Sequence, residues 1–375
     1  MIITRRRFLS LSAATAVGVG LARCVRSQDA PTVKPKNEAG IAWYDVCQWG
    51  VEGRAWSDTE RYFDRLPRRA KGKVRDAVWN LSRHSAGMAT RFETDAQAIH
   101  VRYKLLSGNV AMPHMPATGV SGVDLYAADG ERRWQWLAVS RPAGIDVDAK
   151  LIEGLAAGRR GYLLYLPLYN GVESLEIGVP EGAAFAPVAP RAVKPVVYYG
   201  TSIAHGACAS RPGMAFPSIL GRRLDVPMVN LGFSGNGRME PEVGELLGEI
   251  DAAAYCIDCL PNMSGAEVAE RAEPLIRQLR AARPEAAIVL VEDRTYANTP
   301  LVPGNRERHD ASRAALRAAC DRAQAAGIAD LYYVEGEHLL GDDGEGTTDN
   351  SHPNDLGMMR MADALEPVLR KCLGK

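Results

Sequence analysis

The sequence predicts two folded units in series: an all-β, jelly-roll-like sandwich, then an α/β domain built on a parallel sheet. Two observations predict this. From about residue 31 to residue 190, short runs alternate apolar and polar residues at period two, with turn residues between them. From residue 191 onward, continuous apolar runs alternate with helical patterns, as buried parallel strands and their covering helices do. A chain of 375 residues can bury two cores of this size.

Composition narrows the function classes. Hydrophobic residues make up 46% and charged residues 24%, a globular balance. Lys+Arg and Asp+Glu are both 45, so no basic excess favours nucleic acid or an anionic membrane surface. Residues 1–30 are expected to be an export signal rather than part of the fold. Thr4-Arg5-Arg6-Arg7-Phe8-Leu9-Ser10 precedes a mildly apolar Ala/Gly-rich run, Leu11 to Ala22, too short and Gly-rich to span a bilayer well. The stretch resembles a twin-arginine signal cleaved within Ala22–Ala30, which implies a periplasmic or extracellular protein with no stable membrane insertion afterwards. Arg23 before Cys24 fits a lipoprotein badly. Six further cysteines, at 47, 208, 256, 259, 320 and 372, are scattered. Cys256 and Cys259 lie in an apparent buried strand with no second pair to complete a zinc site, so buried thiols are expected, and neither metal nor organic cofactor.

Taken in order, Val25 to Gly40 reads as a linker, with Pro31, Pro35 and Asn37. A Trp/Arg-rich segment comes next, from Trp43 through Trp56 to Trp79. Strands are predicted over Ala89–Glu93, Ala98–Tyr103, Gly122–Tyr126, Arg133–Val139, Tyr162–Leu166 and Ser174–Val179, with turn pairs at Asp129-Gly130 and Asn170-Gly171. Trp134 and Trp136 share one strand face, and core packing is the preferred reading over exposed sugar stacking. His84, His100 and His114 are too dispersed for a metal site.

In the second half, strands are predicted over Pro195–Tyr199, Pro227–Leu231, Ala253–Asp258, Ala286–Val291 and Leu331–Val334. Helices are predicted over Met214–Leu224, Glu240–Ile250, Ser264–Ala282, Arg306–Ala326 and Leu356–Cys372, with a capping box at Ser264 to Glu267. Five such units make a flavodoxin-like doubly wound domain, whose ligands sit at the C-terminal ends of the strands.

The residues just past each strand end are therefore the candidates for chemistry. Gly200-Thr201-Ser202 lies past the first strand, Gly232-Phe233-Ser234-Gly235-Asn236 past the second, and Pro261-Asn262 past the third. Asp349-Asn350-Ser351-His352 comes just before the last helix. A serine hydroxyl is weak at its free pKa and needs a base. His352 can take the proton, and Asp349 can hold the imidazole tautomer. The Ser202 N–H, Gly235 N–H and Asn262 amide can receive an oxyanion. A glycine at 235 would also leave the approach clear of a Cβ.

These blocks resemble those of the SGNH hydrolases, also called GDSL-like esterases, over about residues 193–373. Gly200-Thr201-Ser202 matches the first block, Gly235 the second, Asn262 the third, and Asp349-x-x-His352 the last. Thr201 stands where many members carry Asp, and Leu260-Pro261-Asn262-Met263 replaces a Gly-rich turn. Gly122-Val123-Asp124-Leu125-Tyr126 is similar to the β-domain ahead of the SGNH domain in one bacterial branch. Related architectures include carbohydrate acetylesterases. The resemblance implies a domain order of signal (1–30), β-sandwich (31–190) and hydrolase (191–375). It implies a serine esterase acting through Ser202 on an acyl ester, acetyl first, of a small molecule or glycan. Alternatives are a lipase or thioesterase on longer chains, or a non-catalytic carbohydrate-binding protein. His205, three residues after Ser202 and on a similar helix face, is a candidate substrate contact and a minor alternative base. Arg294 and Tyr296, after the fourth strand, are candidates for lining the acyl or sugar pocket.

Overall fold

The structure, a computed structural model, describes residues 32–128 and 133–375. The expected signal, Cys24 and the Asp129-Gly130 turn lie outside the described residues. The first half contributes β1 (Lys36–Glu38), β2 (Ile41–Asp45), helix α1 (Asp76–Leu81), β3 (Ala89–Thr94) and β4 (Ala98–Leu105). Then come the short helix α2 (Ala117–Val120), β5 (Asp124–Ala128), β6 (Trp134–Val139), β7 (Asp146–Glu153), β8 (Arg160–Tyr165), β9 (Val172–Pro180) and β10 (Phe185–Val188). They form two five-stranded sheets, ordered β1-β2-β9-β4-β7 and β10-β3-β8-β5-β6. Alternation decides the packing. Ile99, Val101, Tyr103 and Leu105 of β4 turn inward to meet Leu125 of β5 and Leu164 of β8 in one core.

Three expectations change here. Part of the expected linker is an edge strand: Lys36–Glu38 pairs antiparallel with β2. Strands β7 and β10, which the pattern did not reveal, also lie at sheet edges. Their Asp, Lys and Pro residues suit an edge and dilute the apolar alternation. The Trp134/Trp136 pair is not core. Strand β6 is the outer strand of its sheet; Trp136 is 47% exposed and donates its ring N–H to Asp124 at 2.8 Å, while Trp134 is half-buried.

The second half contributes β11 (Val196–Gly200), α3 (Ser202–His205), α4 (Phe216–Leu224), β12 (Met228–Gly232), α5 (Pro241–Glu249) and β13 (Ala254–Asp258). It continues with α6 (Gly265–Ala282), β14 (Ala287–Val291), α7 (Pro303–Ala325), β15 (Leu331–Val334) and α8 (Asp355–Leu373). The sheet order is β12-β11-β13-β14-β15, all neighbours parallel, as in a doubly wound fold. Ser264 caps α6 in a full capping box with Glu267. Along the strands, successive residues take opposite faces. Val197, Tyr199, Val229, Leu231 and Tyr255 meet α5, α6 and α7, whereas Val196, Tyr198, Met228 and Cys256 meet α4 and α8.

The two halves interlock. Trp56, Leu66, Ala70, Val74, Val78 and Trp79 belong to the same apolar cluster as Val197, Tyr199 and Phe233. Residues 56–79 precede most of the sandwich in sequence yet help cover the parallel sheet, so the packing unit is larger than 191–375. Cys208, Cys256, Cys259 and Cys320 are buried and unbridged.

Candidate active site

At the end of β11 the chain turns sharply into α3. The Thr201 hydroxyl caps this turn, accepting the Ile203 N–H at 3.4 Å. Ser202 thus opens a one-turn helix at the C-terminal edge of the sheet. Its Oγ lies 2.8 Å from His352 Nε2. His352 Nδ1 lies 2.7 Å from Asp349 Oδ2, and Asp349 Oδ1 accepts the backbone N–H groups of His352 at 2.8 Å and Ser351 at 3.2 Å. Burial would raise the Asp349 carboxyl, but the His352 backbone N–H, the His352 ring and the Ser351 N–H outweigh it and hold the carboxyl below its ordinary value. A carboxylate held this way keeps the imidazole with Nδ1 protonated and Nε2 facing the serine.

The loop after β12 presents Gly235 with φ of +69°. A Cβ there would meet nothing within 4 Å, so backbone conformation, rather than space, calls for glycine. The tight approach is two residues on, where a Cβ on Gly237 would sit 2.1 Å from the Gly200 carbonyl oxygen. The Gly237 N–H donates to Asn262 Oδ1 at 3.2 Å. With its oxygen so engaged, the Asn262 amide turns its NH2 to the other side. Among the described residues neither the Ser202 nor the Gly235 N–H donates elsewhere.

The first half supplies the supports. Arg65, fully buried, donates Nη1 to the carbonyls of Asn230 (3.1 Å) and Gly232 (2.8 Å), Nε to His84 O (2.9 Å) and Nη2 to Leu81 O (2.7 Å). Burial pushes its pKa down to about 9. Arg75 donates to the Asn236 side chain at 2.7 Å and pairs with Glu240, clamping the Gly235 loop from outside. The Tyr169 hydroxyl donates to Ser202 O at 3.2 Å. None of these three was recognisable in the sequence, because each acts through backbone atoms or loop residues of the other half.

Two of the expected substrate contacts are misplaced. His205 is fully buried: it stacks on Tyr169 (ring centroids 4.2 Å apart) and faces His84 and Arg65, with its Nε2 3.4 Å from His84 Nδ1. Burial, then the Arg65 charge, pushes its pKa well down, so it is a neutral ring in the seam between the halves. The turn into α3 is only four residues long, and its far side points into that seam. Arg294 is also fully buried, ion-paired with Asp258, which in turn accepts the Tyr198 hydroxyl at 3.1 Å. Tyr296 is half-buried on a depression that also includes Arg306, Glu337 and Thr347, beside the loop carrying Asp349 and His352.

One donor cluster adjoins the relay. Ligand atoms of Cys208, Asp349 and His352 lie within 4.8 Å of one another. Asp349 and His352 are already bonded to each other, and burial pushes the Cys208 thiol up, which makes it a poor ligand.

Residues 193–370 match the family model described as GDSL-like lipase/acylhydrolase, and residues 41–185 match the one described as the N-terminus of SGNH-hydrolase-type esterases. The crystal structure of a GDSL-like lipase from Bacteroides ovatus is 34% identical, with a TM-score of 0.84 over 89% of this chain and 98% of that one. The chain belongs to the GDSL-like lipase/acylhydrolase family. It is an ester hydrolase. A salicylyl-acyltransferase, SsfX3, from a tetracycline biosynthetic pathway shares the fold at 17% identity and a TM-score of 0.66, over 92% of this chain and 94% of its own. So does a family two carbohydrate esterase from Clostridium thermocellum, at 16% identity and 0.56, over 77% and 93%. No curated protein sequence matches the chain.

Proposed function

We propose that this ester hydrolase is an exported serine esterase that removes short acyl groups, acetyl first, from hydroxylated alcohols such as carbohydrate. The observation that carries the mechanism is the relay Ser202–His352–Asp349, with contacts of 2.8 and 2.7 Å, beside the donors of Gly235 and Asn262. Ser202 Oγ attacks the ester carbonyl as its proton passes to His352 Nε2. The carbonyl oxygen becomes an oxyanion that accepts from the Ser202 N–H, the Gly235 N–H and the Asn262 amide. The C–O bond to the alcohol then breaks, and His352 returns the proton to the departing oxygen. Water repeats the cycle on the acyl-enzyme and releases the carboxylic acid. Asp349 stays ionised and keeps the ring in register.

The polar-alcohol reading is supported by the entrance. The depression beside Gly235 and Asn262 is open, with Arg238, Ser264 and Arg308 on its walls among the apolar Pro261, Met263 and Ala311. The charged and hydroxyl groups can meet a polar alcohol, and the apolar patch can take the acyl group. Export is supported by the Arg5-Arg6-Arg7 stretch. Among the described residues no helix is long and apolar enough to cross a membrane.

The test is turnover of p-nitrophenyl esters from acetyl to octanoyl. Wild type should be fastest on acetyl, and Ser202→Ala should lose roughly four orders of magnitude or more in kcat. Equal rates for wild type and Ser202→Ala would remove Ser202 as nucleophile. A preference rising with chain length would replace the acetyl reading with a lipase.

A further inference from the structure

The catalytic relay is bordered by a residue that the fold itself does not use. Met112 and Met115 exchange backbone hydrogen bonds (2.9 and 3.1 Å), closing a tight turn whose two central residues are Pro113 and His114. The His114 ring centroid lies 6.3 Å from that of His352, with the planes 31° apart. His114 itself is exposed and makes no hydrogen bond among the described residues.

This turn is anchored rather than loose. Met115, 2% exposed, packs in one cluster with Leu168, Tyr169, Ile203 and Ala207, directly under the serine helix. Below it, the Ser107 backbone exchanges hydrogen bonds with the Asn170 side chain at 3.2 and 2.9 Å. Above it, Thr118 Oγ1 donates to the Ser210 carbonyl at 2.6 Å. Pro113 fixes one backbone dihedral of the turn. The backbone that carries the imidazole is thereby fixed, so binding need not order the turn itself.

We propose that His114 contacts the alcohol portion of the ester, so that this turn of the sandwich half selects hydroxylated leaving groups for the catalytic half. The inference rests on the serine esterase reading. In that reaction His352 Nε2 must reach the departing oxygen, so the alcohol leaves beside the His352 ring. A side chain flanking that ring flanks the alcohol. At 6.3 Å and 31° the two rings sit as a tilted pair, so a group docked on the open side of the His352 ring also lies within reach of the His114 ring edge. An imidazole offers one donor and one acceptor there, which matches a hydroxyl.

The experiment compares two leaving groups on the full chain. One is p-nitrophenol, which lacks a hydroxyl beyond the ester oxygen; the other is the sugar of a mono-acetylated methyl glucoside. The readout is the ratio of kcat/KM for sugar acetate to that for p-nitrophenyl acetate, in wild type, His114→Ala and His114→Asn. The ratio should fall about tenfold in His114→Ala, mostly through KM for the sugar ester, the size expected for one lost hydrogen bond. His114→Asn, which keeps a donor and an acceptor, should recover part of it. A proportional fall on both substrates, or no change on either, overturns the proposal. Wild type that cleaves p-nitrophenyl acetate but not the sugar ester overturns it too, while leaving the serine esterase reading intact. Wild type inert on both substrates removes that reading, and this inference with it.

Discussion

Two arginines are completely buried on opposite flanks of the catalytic edge, and they are held in different ways. Arg294 belongs to the same half as its partner, Asp258, at the end of β13, four residues before Asn262. Arg65 comes from the other half and has no carboxylate; it rests on four carbonyl oxygens, two of them at the end of β12, before Gly235. Burial pushes both guanidinium groups down. At Arg294 the charges of Asp258 and Asp293 more than offset this and leave it above its ordinary value, whereas Arg65 falls to about 9. Of the two strand ends, the one before Asn262 is thus braced by an ion pair within the hydrolase half. The other is braced by a cation reaching in from the sandwich half. The candidate site is therefore built by both halves, although Ser202, His352 and Asp349 come from one.

The strongest way to break this contrast is Arg294→Met. It leaves the Asp258 carboxylate buried and unpaired, and unfolding in urea should show a loss of about 3–5 kcal/mol. Arg65→Met should cost less, about 1–3 kcal/mol, because it strands carbonyls rather than a charge. Its signature lies in kinetics: kcat should fall about tenfold with KM nearly unmoved, and Arg65→Lys should restore part of kcat. A KM effect alone would show that Arg65 does not position the Gly235 loop.

Acid sharpens the same comparison. His205 and His84 lie against Arg65, and both stay neutral in the fold; His84 is pushed down to about 3, by burial and then by the Arg65 charge. In the unfolded chain each takes a proton near pH 6.5. The unfolded state therefore binds more protons below that value, and stability falls with pH by up to about 1.4 kcal/mol per unit for each ring. The loss sets in below about 6.5 and, for His84, continues towards its folded value of about 3. Thermal melts from pH 7 to pH 5 should show it, and His84→Gln should flatten the slope. The smallest effect is that of Thr201→Ala, which removes one cap of the serine turn and should lower stability by about 1 kcal/mol.

Much of the candidate site was legible because the placement of its residues is set locally. Ser202, Gly235, Asn262 and the Asp349/His352 loop each come after a strand or precede a helix, and the parallel topology brings such positions to one edge. The five parallel strands were legible too, since buried apolar runs leave little ambiguity. Side-chain orientation was not. His205 lies three residues from Ser202, yet the turn is too short for helical spacing to keep it on the open face. Arg294 sits past a strand end as the functional residues do, and only the three-dimensional pairing with Asp258 shows it turned inward. Arg65 carries no local signal, because its partners are carbonyl oxygens more than 160 residues away in the case of Asn230 and Gly232.

The segment 56–79 has a consequence for how such a chain can be inherited. Residue 190 is where the sequence looks most separable, yet a recombination break there would part Arg65 and Arg75 from the loop they serve and strip Trp56, Leu66 and Trp79 from the sheet. A hydrolase half passed on alone would need a new cover before it could work, so the two halves are expected to travel through evolution as one heritable piece.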